Sequence, residues 1–300
     1  MTSLLIALIP TGIILIILAG SFTILKLYEL RKKGNRSPLT AQLLRSPGET
    51  LRSQIDDLSL DITFYSMIAP VFPLFLYASY LSQIYLAKYM VTSFESLFYL
   101  IVSSALVFYC FVKLWLLFKK RTSLRLGLDC ELAVGQELNQ LMIEGCRVYH
   151  DFPAEKFNID HVVVGPEGVF AVETKGRSKS NKKGGVDEAK VTYDGEKLNF
   201  PSWSEKEPLD QAKRQATWLS QWLSSAVGES VSVKPVLALP GWYIDRKKPS
   251  DLLIFNGKNP EFLLKWSNKA GLSETLVKRI AHQLEQRCRD IEPVAYAKKK

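Results

Sequence analysis

Apolar residues fall into three long, almost uncharged stretches within the first 118 positions and into short periodic runs thereafter. The stretch from Leu4 to Leu25 carries no charge and reaches the roughly 20 residues that a bilayer-spanning helix needs. The second, Ile62 to Ala87, is uncharged and rich in aromatics; its Pro70 and Pro73 predict a kink of the kind membrane helices tolerate. The third, Leu97 to Phe118, holds a single charge, Lys113, close enough to its end to snorkel. Beyond these, Leu128, Leu132, Val134, Leu138, Leu141 and Met142 make one stripe at 3.6-residue spacing, predicting a helix from Leu126 to Glu144. Arg147–Phe152 reads as a strand. Two β-branched runs, Asn158–Val164 and Val169–Lys175, flank Gly165-Pro166-Glu167-Gly168 and predict an antiparallel hairpin. A second hairpin is expected around Asp194-Gly195. A helix then opens near Pro208, carrying Ala212, Gln215, Trp218, Leu219, Trp222 and Leu223. A buried strand at 231–239, a short strand at 251–256 and a last helix from Ser273 to Asp290 complete the order. This is an α/β pattern, a mixed sheet flanked by helices, in one domain of about 175 residues, long enough to bury a core.

Charge separates the two halves. Residues 1–118 hold nine basic and six acidic residues, whereas 119–300 hold thirty and twenty-four. Basic residues lie between the first two stretches (Lys26, Arg31, Lys32, Lys33, Arg36, Arg45, Arg52) and directly after the third (Lys119, Lys120, Arg121, Arg125), while 88–96 has only Lys88. The positive-inside bias then predicts three spans (4–25, 62–87, 97–118) in the cell (inner) membrane, N-terminus outside and C-terminal domain in the cytoplasm. The first span lacks a basic leader and a small-residue cleavage site, which favours a retained anchor. On this reading 119–126 is a basic hinge, 127–292 the soluble domain and 293–300 a basic tail. The basic surplus after residue 118 fits a polyanionic partner, but beside a membrane it equally fits anionic lipid. The four cysteines and three histidines show no paired spacing, so a zinc site and a disulfide framework are not expected.

The first hairpin carries the candidate chemistry. With a four-residue loop Val164 pairs with Val169, and counting outward sets Asp160 opposite Glu173, with Cβ atoms roughly 4.5–5.5 Å apart. Lys175 shares that face. Two adjacent carboxylates repel unless a cation lies between them, and a hard ion such as Mg²⁺ prefers oxygen ligands of this kind. The plainer alternative is a solvated strand end with a Glu–Lys surface pair. An odd loop count would also send the two acids to opposite faces. Glu131 falls within the apolar stripe of its helix, a costly place for an unsatisfied carboxylate; it is either a site carboxylate or a first-turn glutamate stabilised by the helix dipole. Gln211, in the first turn of the Pro208 helix, could reach the site or face water. The segment 176–185, with four cations in ten residues, is a candidate phosphate-backbone contact or a solvated loop.

Residues 127–239 resemble the nuclease-related domain (NERD) family of the PD-(D/E)xK nuclease superfamily. The matching text is Gly127-Leu128-Asp129-Cys130-Glu131, then Ile159-Asp160-His161 through Val172-Glu173-Thr174-Lys175, then Pro208-Leu209-Asp210-Gln211-Ala212. Cys130 stands where the family usually has glycine. The resemblance, which does not extend to the spans, implies a restriction-endonuclease-like mixed sheet and a metal-dependent nuclease acting on nucleic acid, with DNA the expected substrate. Together with the spans, the expectation is a membrane-anchored nuclease. It implies Mg²⁺ (or Mn²⁺) held by Asp160, Glu173 and the Thr174 carbonyl. Lys175 would activate water or stabilise charge, Glu131 would be an auxiliary ligand, and Gln211 would border the site. The alternative is a non-catalytic nucleic-acid-binding or scaffold/sensor membrane protein on the same fold.

Overall fold

The computed structural model describes residues 41–85, 90, 92–179, 189–265 and 271–291, with scattered positions between 12 and 27. The chain divides into two compact units, one of residues 1–40, 55–122 and 294–300, the other of 41–54 and 123–293. Two helices, α1 (Glu49–Tyr85) and α2 (Ser93–Asn139), each contribute to both.

In the first unit the two helices pair through Tyr80 and Tyr99, whose ring centroids lie 5.7 Å apart. Tyr65 meets Tyr109 at 6.2 Å, and Arg121 Nε donates to Ser59 Oγ at 3.3 Å. These contacts run in opposite chain directions, so the helices are antiparallel. Pro70 and Pro73 sit inside α1 without ending it. Both helices are long and apolar enough to cross a membrane. Phe64, Met67, Leu74, Phe94, Phe108 and Trp115 are exposed on them. The sequence predicts three such stretches; the described residues hold two, and most of 4–25 lies outside them. The expected hinge at 119–126 is instead helical, part of α2, which ends at Asn139 rather than Glu144 and passes into a 3₁₀ turn, Gln140–Met142. Helix-compatible residues fill 119–126 without Gly or Pro, so nothing there breaks the ladder.

The second unit is built on a five-stranded mixed sheet. Its strands are β2 (Arg147–Pro153), β3 (Asn158–Gly165), β4 (Gly168–Thr174), β8 (Val233–Ala238) and β10 (Leu253–Phe255), in the order β10-β8-β4-β3-β2. The first hairpin forms in the expected register, Val164 opposite Val169 and His161 opposite Val172. Strands β4, β8 and β10 are parallel. Helices α3 (Glu207–Val227) and α4 (Glu274–Cys288) cover one face through Ala216, Leu219, Leu223, Ile280 and Leu284 against Val162, Val164, Val169 and Ala171. The end of α2 covers the other, Val134 and Leu138 meeting Val163, Phe170, Val172 and Val236. This two-sided cover explains why β4 reads as a continuous apolar run, buried at every residue.

A second sheet, ordered β7-β6-β5-β9, contains β5 (Lys190–Tyr193) and β6 (Leu198–Asn199), the Asp194-Gly195 hairpin read from sequence, with β7 (Ser204–Glu205) and β9 (Tyr243–Arg246). The short strand β1 (Leu43–Leu44) pairs with β11 (Arg289–Ile291), which brings a segment preceding the apolar helices into the domain. The tail 293–300 and the loop residues 180–188 lie outside the described residues.

Candidate functional site

The site begins where the strict alternation of β2 and β3 fails. Val148 and Val163 point into the α2 layer. Phe152 and Ile159, each four residues along and therefore expected on that same face, lie in the α3–α4 layer. The β2–β3 pairing skips only Asp151 and Asp160. Asp151 holds a φ of +48°, a left-handed conformation that Asp tolerates better than most residues. One irregular position in each strand thus lifts Asp160 out of the ladder, as bulges beside functional sites often do.

Asp160 Oδ2 accepts the main-chain N–H of Thr174 at 2.6 Å. His161↔Val172 is the last rung of the hairpin, and Asp160 and Glu173 follow it one step further on. Glu173, only 2 % exposed, is surrounded by donors: Lys175 Nζ lies 2.5 Å from Oε1, Gln211 Nε2 donates to Oε1 at 2.8 Å, and Gln215 Nε2 donates to Oε2 at 2.6 Å. Gln215 also reaches the Asn158 carbonyl at 3.2 Å, tying α3 to the start of β3. Lys175 is fixed at the main chain by an N–H bond to the Ala238 carbonyl, 2.9 Å. Glu131 is buried on α2, the inward orientation its phase predicts.

These acids sense one another. Burial, followed by the charges of Glu173 and Glu131, pushes the Asp160 carboxyl well above its ordinary range, while the Thr174 N–H and Lys175 pull it back. Burial raises Glu173 as well, opposed first by Lys175. The Glu131 carboxyl is pushed up to about 8 by burial and then by Asp151 and Glu173, with Lys175 opposing. Three carboxyl groups crowd around a single ammonium, so additional positive charge would be favourable here.

Among the described residues, no three His, Cys, Asp or Glu side chains form a ready-made metal cage. The donor chemistry still suits a hard cation that keeps several waters: Asp160, Glu173 and the main-chain carbonyl of Thr174 offer only oxygen. Asp160, Glu173 and Thr174 could therefore hold such an ion, with Glu131 adjacent.

Glycine explains how α2 comes so close. A Cβ on Gly176 would lie 3.0 Å from Cys130 Sγ and 3.2 Å from the Leu126 carbonyl, so the residue after Lys175 must be small for this stretch of α2 to lie across the strand end. Cys130, the departure from the family pattern, occupies that crossing. Beneath the site His150 and His161 share a hydrogen bond between their Nδ1 atoms, 2.9 Å. His150 Nε2 meets Asn139 Oδ1 at 3.0 Å. Burial lowers both imidazole pKa values, that of His150 to about 4. The amide oxygen accepts, so His150 donates through Nε2, His161 donates through Nδ1, and His161 Nε2 is left without a partner.

Of the residues singled out in the sequence, Glu173, Lys175 and Gln211 are in direct contact, Asp160 is anchored to Thr174, and Glu131 is coupled to them electrostatically. Gln215 was not among the expected site residues; a polar residue between Ala212 and Ala216 on a buried stripe, one turn after Gln211, was the available signal. Asp151 was also missed. Its Oδ2 accepts Arg45 Nη1 at 2.8 Å, Thr50 N at 2.9 Å and Thr50 Oγ1 at 2.7 Å; its Oδ1 accepts Asn158 Nδ2 at 3.0 Å. Arg45 also pairs with Asp290 at 2.8 Å. A charged residue in an apolar strand was the only trace of this clasp. In the loop read as a phosphate contact, Arg177 pairs with Glu205 at 2.9 Å and Lys179 lies over the Trp242 ring at 5.6 Å.

Residues 126–240 match the family model of the nuclease-related domain. That segment contains the hairpin, Glu131 and α3, and lies within the second unit. No curated protein and no solved structure matches the chain.

Proposed function

We propose that the protein is a membrane-anchored, metal-dependent nuclease that hydrolyses phosphodiester bonds, with DNA as substrate. The observation that supports this most is the grouping of Glu173, Lys175 and Gln211 beside Asp160 within a nuclease-related domain. Asp160 and Glu173, with Thr174, would hold Mg²⁺ or Mn²⁺. Such an ion, when bound, supplies Lewis-acid polarisation of the scissile phosphate and a lowered pKa for a coordinated water. Lys175 Nζ, held against Glu173, is placed to stabilise negative charge developing on the phosphate. Gln211 and Gln215 fix the Glu173 carboxylate so that it need not reorganise during the reaction. Glu131 adjusts the local charge.

The membrane assignment rests on α1 and α2, whose exposed aromatic and aliphatic side chains fit a lipid surface. The basic residues flanking them favour a cytoplasmic location for the domain.

The test uses the full chain in detergent with magnesium and either plasmid or single-stranded DNA. Cleavage should require the divalent ion and fall roughly a hundredfold or more in Asp160→Ala and in Lys175→Ala. Cutting that persists in both variants would sink these roles. A non-catalytic binding or scaffold role on the same fold is the second reading, favoured by the three donors already bonded to Glu173. It requires salt-sensitive nucleic-acid binding that neither substitution nor a chelator alters.

A further inference from the structure

An open cleft of about 530 Å³ lies beside Asp160 and Glu131, and its outer wall is the turn between β2 and β3, including Lys156 and Phe157. That volume is in the range of small-molecule sites. Phe157 is 36 % exposed at the tip of a turn closed by the Ala154 N–H to the Phe157 carbonyl, 2.9 Å. An exposed aromatic on a tight surface turn needs a reason, and the structure supplies a rigid mount. The Phe157 ring meets Trp218 edge to face at 5.5 Å, and Trp218 stacks on Trp222 at 6.2 Å with planes 7° apart. The Arg287 guanidinium lies over both indoles, at 5.7 and 5.2 Å. Its Nε donates to the Pro153 carbonyl at 2.7 Å, which ties the same turn to α4. The ring at the lip of the cleft is thereby held from behind, and Lys156, the adjacent exposed cation, projects from the same turn.

We infer that this cleft takes an unpaired nucleobase of a single-stranded nucleic acid, stacked on Phe157 and with its backbone phosphate near Lys156. The inference rests on the nuclease reading and narrows it to single-stranded or frayed substrates. A fixed aromatic face beside a cation is the arrangement by which single strands are gripped without sequence choice. A base within a duplex is already stacked and paired, and reaches such a face only when extruded. The acids lining the cleft, Glu131, Asp151, Glu155 and Asp160, oppose a bare phosphate there. The face of a base is the part of the ligand that they repel least.

The test is binding by the full chain in detergent, in a Lys175→Ala background with magnesium present, using one fluorescent oligonucleotide as single strand and as duplex. Phe157→Leu keeps an apolar cover over Trp218 but removes the π-face; Phe157→Trp keeps both. Single-strand affinity should fall roughly 5- to 150-fold in Phe157→Leu, the range for losing one stacked base. It should be retained in Phe157→Trp, with duplex affinity unchanged in both. Equal single-strand binding by Phe157→Leu and its parent overturns the stacking proposal and leaves the nuclease reading intact. An equal drop for single strand and duplex overturns it too. Failure of the parent to bind either form removes the nuclease reading and this inference with it.

Discussion

Replacing Asp151 with alanine is the most demanding test of how the domain is held together. The carboxylate is 3 % exposed and receives Arg45, both the N–H and the hydroxyl of Thr50, and Asn158. Asp151→Ala strands the Thr50 N–H, leaves the Asn158 amide with the Thr50 hydroxyl, and leaves Arg45 with Asp290, the Thr50 hydroxyl and the main-chain carbonyl of residue 151. Removing one partner of a buried ion pair costs about 3–5 kcal/mol. A non-Gly residue without a local side-chain bond at φ +48° adds about 1 kcal/mol. In a domain of this size each kcal/mol shifts the melting point by roughly 2–4 °C, so a fall of roughly 8–24 °C is expected from the combined loss. Tryptophan fluorescence reports it, since Trp203, Trp218, Trp222 and Trp242 all lie in the domain. Arg45→Ala should cost less, about 1–3 kcal/mol, because Thr50 and Asn158 still serve the carboxylate. The double variant should cost less than the sum of the two. A melting point for Asp151→Ala within about 2 °C of the parent would refute the idea that this clasp carries load.

Three further outcomes follow from the same interactions. A fragment beginning at residue 119 lacks Arg45, Thr50 and strand β1, and limited proteolysis should find it much more easily cleaved than the domain in the full chain. Gln215→Leu removes the donor to Glu173 Oε2 and the link to the Asn158 carbonyl; a stability loss of about 1–3 kcal/mol should accompany reduced cleavage, and unchanged values for both would contradict the role given to this residue. Stability without divalent ions should be nearly level from about pH 4.5 to 6.5, where two opposing titrations overlap, and fall above that. The His150 pKa is lowered to about 4, so the folded state binds fewer protons than the unfolded one, and stability is lost as pH falls below about 6.5 towards that value. The Glu131 carboxyl is raised to about 8, so the folded state binds more protons, and stability present at low pH is lost as pH rises from about 4.5 through 8. Melting curves from pH 5 to 9 check both, and Glu131→Gln should abolish the loss above about pH 6.5 and leave the acid-side loss unopposed below it.

Local chemistry made the hairpin legible in the sequence. Two β-branched runs and a Gly-Pro turn fix the Val164–Val169 register, and the register brings Asp160 and Glu173 to the same end. Helical periodicity likewise turned Glu131 inward. The end of α2 was harder, because apolar Leu141 and Met142 continue the stripe through the 3₁₀ turn while the hydrogen-bond pattern tightens. Short strands such as β7 and β9 have too few residues to show a period, and they are set by pairing with β6 and β5, partners distant in the sequence or equally short.

The clasp at Asp151 was illegible for a different reason. Its partners lie 106 and 101 residues away in the chain, across the two apolar helices, and no periodicity spans that distance. Read from composition alone, residues 26–61 were a basic loop between spans; in three dimensions 41–54 belong to the domain. The consequence concerns the candidate chemistry directly. Asp151 and Asp160 are the two positions that the β2–β3 pairing skips, so the bonds that hold Asp151 in its left-handed conformation also maintain the irregularity that frees Asp160 from the ladder. Arg45, which precedes both apolar helices, and Thr50, in the first turn of α1, thereby help to set where a proposed metal-binding carboxylate stands. A change in that segment should alter the site without touching any residue inside the matched nuclease-related region.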